Sequence, residues 1–274
     1  MAILSKALSI IYDGVNIEKF NLVLAEINSS DSVVINQNMG SYSVAQEKAG
    51  SSDVFNIISE EFTDCIKFTI QLFDKEGKAF KQSQIEEINR LFFRKDSTYR
   101  KLQFIDDTYS GIYYLAKCNE APSCISVGGN IVGFELSFVT NAPYAYSLKD
   151  TEITFSATNG TVKNIMDTNS LIGESFPDMI INFTSNGSFI LTNEMTGKTM
   201  EIKNCVTNEK LTINGYTKEF KSSVRDVSSL FESFNYTWFS IGNTYESKLN
   251  KITYKGTSNC EITIKYTPNR LMGV

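Results

Sequence analysis

Histidine, the side chain best suited to acid–base work near neutral pH, occurs nowhere in this 274-residue sequence. Its absence removes the Ser-His-Asp and Cys-His constellations and the commonest transition-metal ligand together. The remaining chemical motifs are incomplete. Gly197-Lys198-Thr199 has the ending of a phosphate-binding loop, but Thr192 stands where that loop needs its first glycine. The segment Asn193–Thr199 reads instead as a turn joining Phe189-Ile190-Leu191 to Met200-Glu201-Ile202. Cys118 and Cys124 are spaced C-x5-C without a second pair, so they read as free thiols rather than zinc ligands. Asp106-Asp107 could contribute to a calcium site, yet between Leu102–Ile105 and Ile112–Leu115 it reads as a hairpin turn. A carboxylate pair for glycoside hydrolysis is a spatial property, and no pair is nominated here. Trp238 could stack on a sugar ring, but within the aromatic run Phe234–Phe239 it reads as a buried strand residue. No catalytic, metal-ligating or cofactor-binding residue is assigned, and no cofactor is expected.

The elements that would position such groups are mostly strands. Phe, Tyr, Ile, Val and Thr are plentiful, and 42% hydrophobic with 21% charged residues is an ordinary folded composition. Apolar residues alternate in Ile66–Leu72, Val132–Phe138, Met179–Phe183 and Ile262–Tyr266, the pattern of half-buried strands. Asp13-Gly14, Asp74–Gly77, Asn186-Gly187 and Asn214-Gly215 supply turn chemistry between the runs. One segment is helical: Ser83 and Glu86 have capping-box spacing, and Ile85, Ile88, Leu91 and Phe92 follow at helical intervals, giving about 12 residues ending near Lys95-Asp96. Its apolar stripe reads as core. The polar stretch Gln37–Ser52 lacks periodicity and reads as a long loop, a feature that is usually functional or mobile. A chain of this length is expected to hold two domains, and the boundary falls after Asn141–Ser147, giving domains 1–147 and 148–274.

Charge is distributed unevenly. Residues 1–147 hold 13 Lys+Arg against 18 Asp+Glu, so they carry the whole net charge of -5, and the rest holds 13 of each. An acidic surface without basic clusters predicts no stable nucleic-acid binding. The five cysteines are odd in number and scattered, which predicts free thiols. Met1–Lys6 lacks the layout of a secretion signal, and no run approaches a membrane span, so folding in a reducing cytoplasm without membrane insertion is expected. The sequons at Asn159 and Asn182 are then chance matches.

Read in order, these landmarks resemble the distal tail protein family of long, non-contractile-tailed phages. The resemblance rests on Ile10–Asn16 with its Asp13-Gly14 turn, Phe20-Asn21-Leu22, and Phe68–Phe73 followed by Ser83–Lys95. It continues through Leu102–Leu115 and Phe134–Phe138 to Ala142-Pro143-Tyr144-Ala145-Tyr146, its most specific single feature. In the second half Asn193–Gly197, Leu211–Asn214 and Ile262–Leu271 are similar to that family's galectin-like domain, although its proline-glycine turn before the last hairpin is missing around Gly242-Asn243. The resemblance implies a mainly β fold: an N-terminal β-sandwich-like domain with one amphipathic helix, then a C-terminal galectin-like β-sandwich. It implies a homohexameric ring at the tip of a virion tail, assembled in the host cytoplasm. Partners would be the tail tube protein, a tail-associated lysin and receptor-binding or baseplate proteins, with DNA passing through the ring. Candidate ring or tube contacts in the polar stretch are Gln37, Gly40, Tyr42, Gln46, Lys48 and Ser52. A domesticated tail-like particle would use the same parts. Two other classes stay open: a carbohydrate-binding module recognising a cell-surface glycan, and a tail-associated hydrolase, which the missing histidines disfavour.

Overall fold

The computed structural model describes residues 9–24, 36–38, 42–50, 53–105 and 111–271. They form two compact units that divide between Leu148 and Lys149, the second ending at Arg270. The fold is mainly β.

The first unit contains β1 (Ser9–Tyr12), β2 (Val15–Asn16), β3 (Leu22–Leu24), β4 (Asn36–Asn38), β5 (Tyr42–Lys48), β6 (Phe55–Phe62), β7 (Lys67–Asp74), α1 (Gln82–Phe92), β8 (Arg100–Ile105), β9 (Ile112–Cys118), β10 (Ser123–Val127), β11 (Asn130–Thr140) and β12 (Ala145–Ser147). Its main sheet runs β2-β1-β8-β9-β11-β7-β3, with β4 on β7, β10 on β11 and β12 on β9. The two-residue period of a strand puts Phe68, Ile70 and Leu72 on one face, opposite Phe138, Leu136 and Phe134 of β11, and all six are buried. Asp13 and Gly14 both take positive φ (51° and 76°), the conformation of a tight two-residue hairpin. The Asp13 carboxylate anchors this turn, accepting from Arg94 at 2.7 Å and lying 3.3 Å from Arg100. Arg100 also holds Asp96, whose carboxyl drops to about 2.

The helix lies over the sheet as core: Ile88, Leu91 and Phe92 are buried, and Phe92 stacks on Tyr12 with centroids 5.5 Å apart. Its boundaries differ from expectation. Ser83 and Glu86 form no capping box. Lys81 is the cap residue, and its N–H donates to the Gln84 side chain at 2.9 Å. A Gln at the third helical position does the work assigned to Glu86, because its carbonyl reaches back to the same orphan amide. The helix stops at Phe92, since Phe93 turns to extended backbone.

The second unit contains β13 (Thr151–Ala157), β14 (Val162–Met166), β15 (Gly173–Ser175), β16 (Asp178–Phe183), β17 (Gly187–Asn193), β18 (Lys198–Cys205), β19 (Lys210–Ile213), β20 (Phe220–Ser222), α2 (Val227–Glu232), β21 (Ile241–Asn243), β22 (Leu249–Tyr254) and β23 (Cys260–Tyr266). It is a sandwich of one sheet ordered β13-β23-β16-β19-β20 and another ordered β14-β22-β17-β18. Met179, Ile181, Phe183, Ile262 and Ile264 from one sheet and Phe189, Leu191, Met200, Ile202 and Tyr254 from the other share a single core. A buried asparagine pair ties β21 to the turn after β17. Asn193 donates to the Ser240 carbonyl and to Asn250 Oδ1, both at 2.8 Å, and Asn250 exchanges two hydrogen bonds with the Gly242 backbone. Phe234–Phe239, expected as a strand, pairs only through the bridge Phe234–Ile202. Tyr236 sits at φ 57° there, which breaks the pleat, and Trp238 is partly rather than fully buried.

A buried ion pair closes one end of this sandwich. Glu209, fully covered, accepts from Arg225 Nε at 2.7 Å, from Ser222 Oγ at 2.6 Å and from the Val206 amide at 3.1 Å. Arg225 also donates to the Lys203 carbonyl and Ser233 Oγ. Breaking such a pair leaves a charge without compensation. Glu209→Ala should cost about 3–5 kcal/mol in urea unfolding, whereas Glu261→Ala on the exposed sheet face should stay within about 0.5 kcal/mol.

Candidate functional site

The polar stretch expected to be a loop is largely a β-ribbon. β5 pairs antiparallel with β6 from Tyr42↔Phe62 to Lys48↔Phe55, and Gly50 at φ 59° helps the chain reverse. A bulge changes the register between Ala45↔Ser59 and Gln46↔Ile57. That single extra residue decides which side chains share a face. In unbroken alternation Phe55 and Ile57 would point opposite to Phe62. The bulge at Ile58 brings them to the side of Tyr42, Val44 and Phe62. Facing residues across antiparallel strands lie on the same side. One face therefore carries Tyr42, Val44, Phe55, Ile57 and Phe62 together with Gln46, Lys48 and Glu60, and the other carries Ser43, Ala45, Glu47, Asn56, Ser59 and Glu61. Tyr42 rests edge-on against Phe62 at 5.1 Å and donates to Glu60 at 2.6 Å, which braces the open end. Every described residue of the two strands is exposed, with Phe55 at 58% and Ile57 at 57%.

Among the candidate contacts, Tyr42, Gln46 and Lys48 alternate along β5 and fall on this apolar face. Gly40 and Ser52 lie outside the described residues. Gln37 belongs to β4, whose backbone pairs with β7 opposite Phe68, so it is part of the main sheet and not of the ribbon. Sequence reasoning missed Phe55, Ile57 and Phe62. The usable sign was an apolar run, Val54-Phe55-Asn56-Ile57-Ile58, facing a polar one of similar length.

The chemical candidates do not converge. Asn193–Thr199 is the turn between β17 and β18, with Gly197 at φ 68°. Cys118 stands opposite Phe138 and Cys124 opposite Phe134, on two strands that pair with β11 at positions four residues apart. Asp106 and Asp107 lie outside the described residues. No group of three or more Cys, Asp and Glu capable of holding a metal occurs among the described residues. A groove of about 290 Å³ on the outer face of β13, β23, β16 and β19 is lined by Glu152, Asp178, Ile180, Thr212, Thr263 and Lys265, with hydroxyls and an isoleucine between the charges. No helix among the described residues is long and apolar enough to cross a membrane.

A two-unit β chain with this order of elements is a tail component of phages: residues 5–142 match the family described as phage tail protein N-terminal domain, and residues 144–266 match phage tail C-terminal domain. The chain belongs to that family. Its fold is that of SPP1 Dit (gp 19.1), solved as a paradigm of the hub adsorption apparatus in phages infecting Gram-positive bacteria. The two are 15% identical and superpose with a TM-score of 0.66 over 97% of this chain and 100% of that one. The curated proteins offer no similar sequence. It is a phage tail protein whose mainly β fold is shared with the SPP1 Dit structure.

Thiol chemistry follows burial. Desolvation pushes the Cys205 thiol up to about 12 and Cys260 up to about 11, and it raises Cys118. Cys124 is exposed. Native protein at pH 8 should alkylate at Cys124 within minutes and at Cys118, Cys205 and Cys260 only on unfolding, as read by peptide mass spectrometry. Because the folded state holds these protons more tightly, thermal stability should decline as pH rises above 9, the unfolded thiol value.

Proposed function

We propose that this chain is a structural ring subunit of the tail tip. Copies associate as a homohexamer joining the tail tube to the tail-associated lysin and the receptor-binding or baseplate proteins, and DNA passes through the centre. The first unit forms the ring, and the second stands outside as the docking platform. The carrying observation is the amphipathic ribbon: it exposes five large apolar side chains on one face, from 38% at Phe62 to 58% at Phe55. Exposed apolar patches of this kind mark association surfaces. The surface that covers it is an adjacent copy of the first unit. The fold shared with SPP1 Dit and the membership in a phage tail family support this reading.

The charge distribution supports it as well. A channel for DNA must not hold phosphates, and an acidic wall repels them. The surplus of -5 resides wholly in residues 1–147, and this reading puts it on the inner wall. The absence of histidine fits a part without catalysis, positioned in the virion rather than acting on a substrate.

The test is assembly of a ribbon variant. Phe55→Ser combined with Ile57→Ser should reduce the light-scattering mass from that of a ring to that of a single chain of 30.8 kDa. Its melting temperature should stay within a degree or two of the parent's, because neither side chain supports the core. Full-size assembly of the variant, or a parent that remains a single chain at every concentration, would overturn the proposal.

A further inference from the structure

Three polar side chains of the second unit are buried together outside its apolar core. Asp167, Asn169 and Asn243 are 3%, 3% and 4% exposed. Asp167 follows β14 directly, Asn169 lies two residues further on, and Asn243 closes β21 opposite Gly173 of β15. A carboxylate so covered is ordinarily paired with a cation. The hydrogen bonds of Asp167 among the described residues come from amides instead. Its Oδ1 accepts from the Asn169 N–H at 3.0 Å and from Asn169 Nδ2 at 2.9 Å, and its Oδ2 accepts from Asn243 Nδ2 at 2.8 Å. The Lys248 ammonium enters the same cluster, but its bond is to the Asn169 carbonyl, at 3.1 Å.

The Asn243 amide is divided between its two ends. Its Nδ2 serves two oxygens, Asp167 Oδ2 and, at 3.3 Å, the Asn169 carbonyl, while its Oδ1 is buried without a donor. Turning the amide about its last side-chain bond exchanges Oδ1 and Nδ2 with almost no change of shape. Asp167 Oδ2, Asn169 O and Asn243 Oδ1 then converge on one point. The Nδ2 takes the buried place that Oδ1 holds now, so one end of the amide is unpaired in either orientation. A cation among the three oxygens makes the turned orientation the favourable one. The loop is fixed from its other side as well. The Asn269 N–H donates to Asn169 Oδ1 at 2.8 Å, and Asn269 Oδ1 accepts from the Ser170 and Leu171 amides at 3.0 and 2.8 Å. The Asn169 carbonyl therefore keeps its direction without help from an ion.

The donor set selects the ion. Carboxylate, peptide carbonyl and side-chain amide oxygens are the ligands of calcium, whose coordination is adaptable. Magnesium demands near-ideal octahedral geometry and gives up water reluctantly, which suits three oxygens fixed by strand ends and a loop poorly. Lys248 is an exposed residue, and its ammonium rides on a flexible four-carbon stem. It now supplies the only positive charge bonded to the Asn169 carbonyl among the described residues. By withdrawing to water it opens the side from which calcium and its remaining water ligands enter.

We propose that Asp167, Asn169 and Asn243 bind a calcium ion through Oδ2, the peptide carbonyl and Oδ1 respectively, with Lys248 displaced to solvent. Bound calcium fastens the loop Asp167–Leu171 onto β21. The site lies within the second unit and does not depend on the ring. One carboxylate and several waters make a weak site, with a dissociation constant of about 0.1–1 mM, the range of extracellular calcium modules. Terbium takes calcium's ligands and luminesces when a nearby tyrosine is excited. Tyr266, whose hydroxyl accepts from the Thr168 amide at 3.1 Å, serves as that antenna in the full chain. Luminescence from terbium chloride should saturate and be displaced by calcium chloride, with magnesium chloride about tenfold or more less effective. Asp167→Asn should weaken calcium about tenfold or more, since it removes the one carboxylate. Lys248→Met removes the competing ammonium without touching a buried side chain, so it should tighten calcium about threefold, and it decides the matter even if Asp167→Asn fails to fold. No saturable signal, Asp167→Asn binding as tightly as the parent, Lys248→Met binding no more tightly, or magnesium competing as well as calcium would overturn the proposal.

Discussion

The ribbon of β5 and β6 cannot be understood as part of an isolated chain. A two-stranded ribbon is marginal in water even when its side chains are favourable, and this one turns five large apolar groups toward solvent on a single face. Covering them would contribute on the order of 10 kcal/mol, at about 1.5–3 kcal/mol per large side chain, before the ordering of ribbon and partner is counted. The bulge at Ile58 gathers them on one face. Without it the apolar groups would divide between two sides, and neither would suffice for a stable contact. The proposed ring follows from this: a subunit whose exposed ribbon becomes favourable only when a neighbour covers it assembles readily and stays folded as a component of the assembly.

The two units meet different physical demands. In the first, the sheet and α1 form a core around Tyr12, Phe92 and Phe138 that is complete without the ribbon, so the ribbon can project from a stable base. In the second, hydrogen bonds through Asn193 and Asn250 and the Glu209–Arg225 pair hold the loops at fixed positions. Buried polar groups of this kind rigidify when fully satisfied. These contacts keep the loops where the sandwich puts them.

Much of the fold was legible because strands buried on one side must alternate. Phe68-Thr69-Ile70-Gln71-Leu72 and Met179–Phe183 show their buried faces in the sequence alone, and the turns at Asp13-Gly14 and Asn193–Gly197 carry their own backbone chemistry. The ribbon was hidden for a physical reason. Apolar and polar residues are mixed in both strands, and the bulge at Ile58 breaks the two-residue period where it would have been read. Tyr42, Gln46 and Lys48 entered as candidate contacts through the family resemblance, whereas Phe55, Ile57 and Phe62, which share their face, did not. The start of α1 was misplaced because periodicity fixes a helix's face more firmly than its ends. The left-handed backbones of Lys218 and Tyr236 were equally hidden, since neither residue type favours them.

Hydrogen exchange along the ribbon tests the central claim most directly. The account predicts that backbone amides within Tyr42–Lys48 and Phe55–Phe62 exchange rapidly in dilute single chains and become strongly protected in the assembled state, while β7 and β11 are protected in both. Equal protection of the ribbon in both states, or rapid exchange within an intact ring, would contradict it.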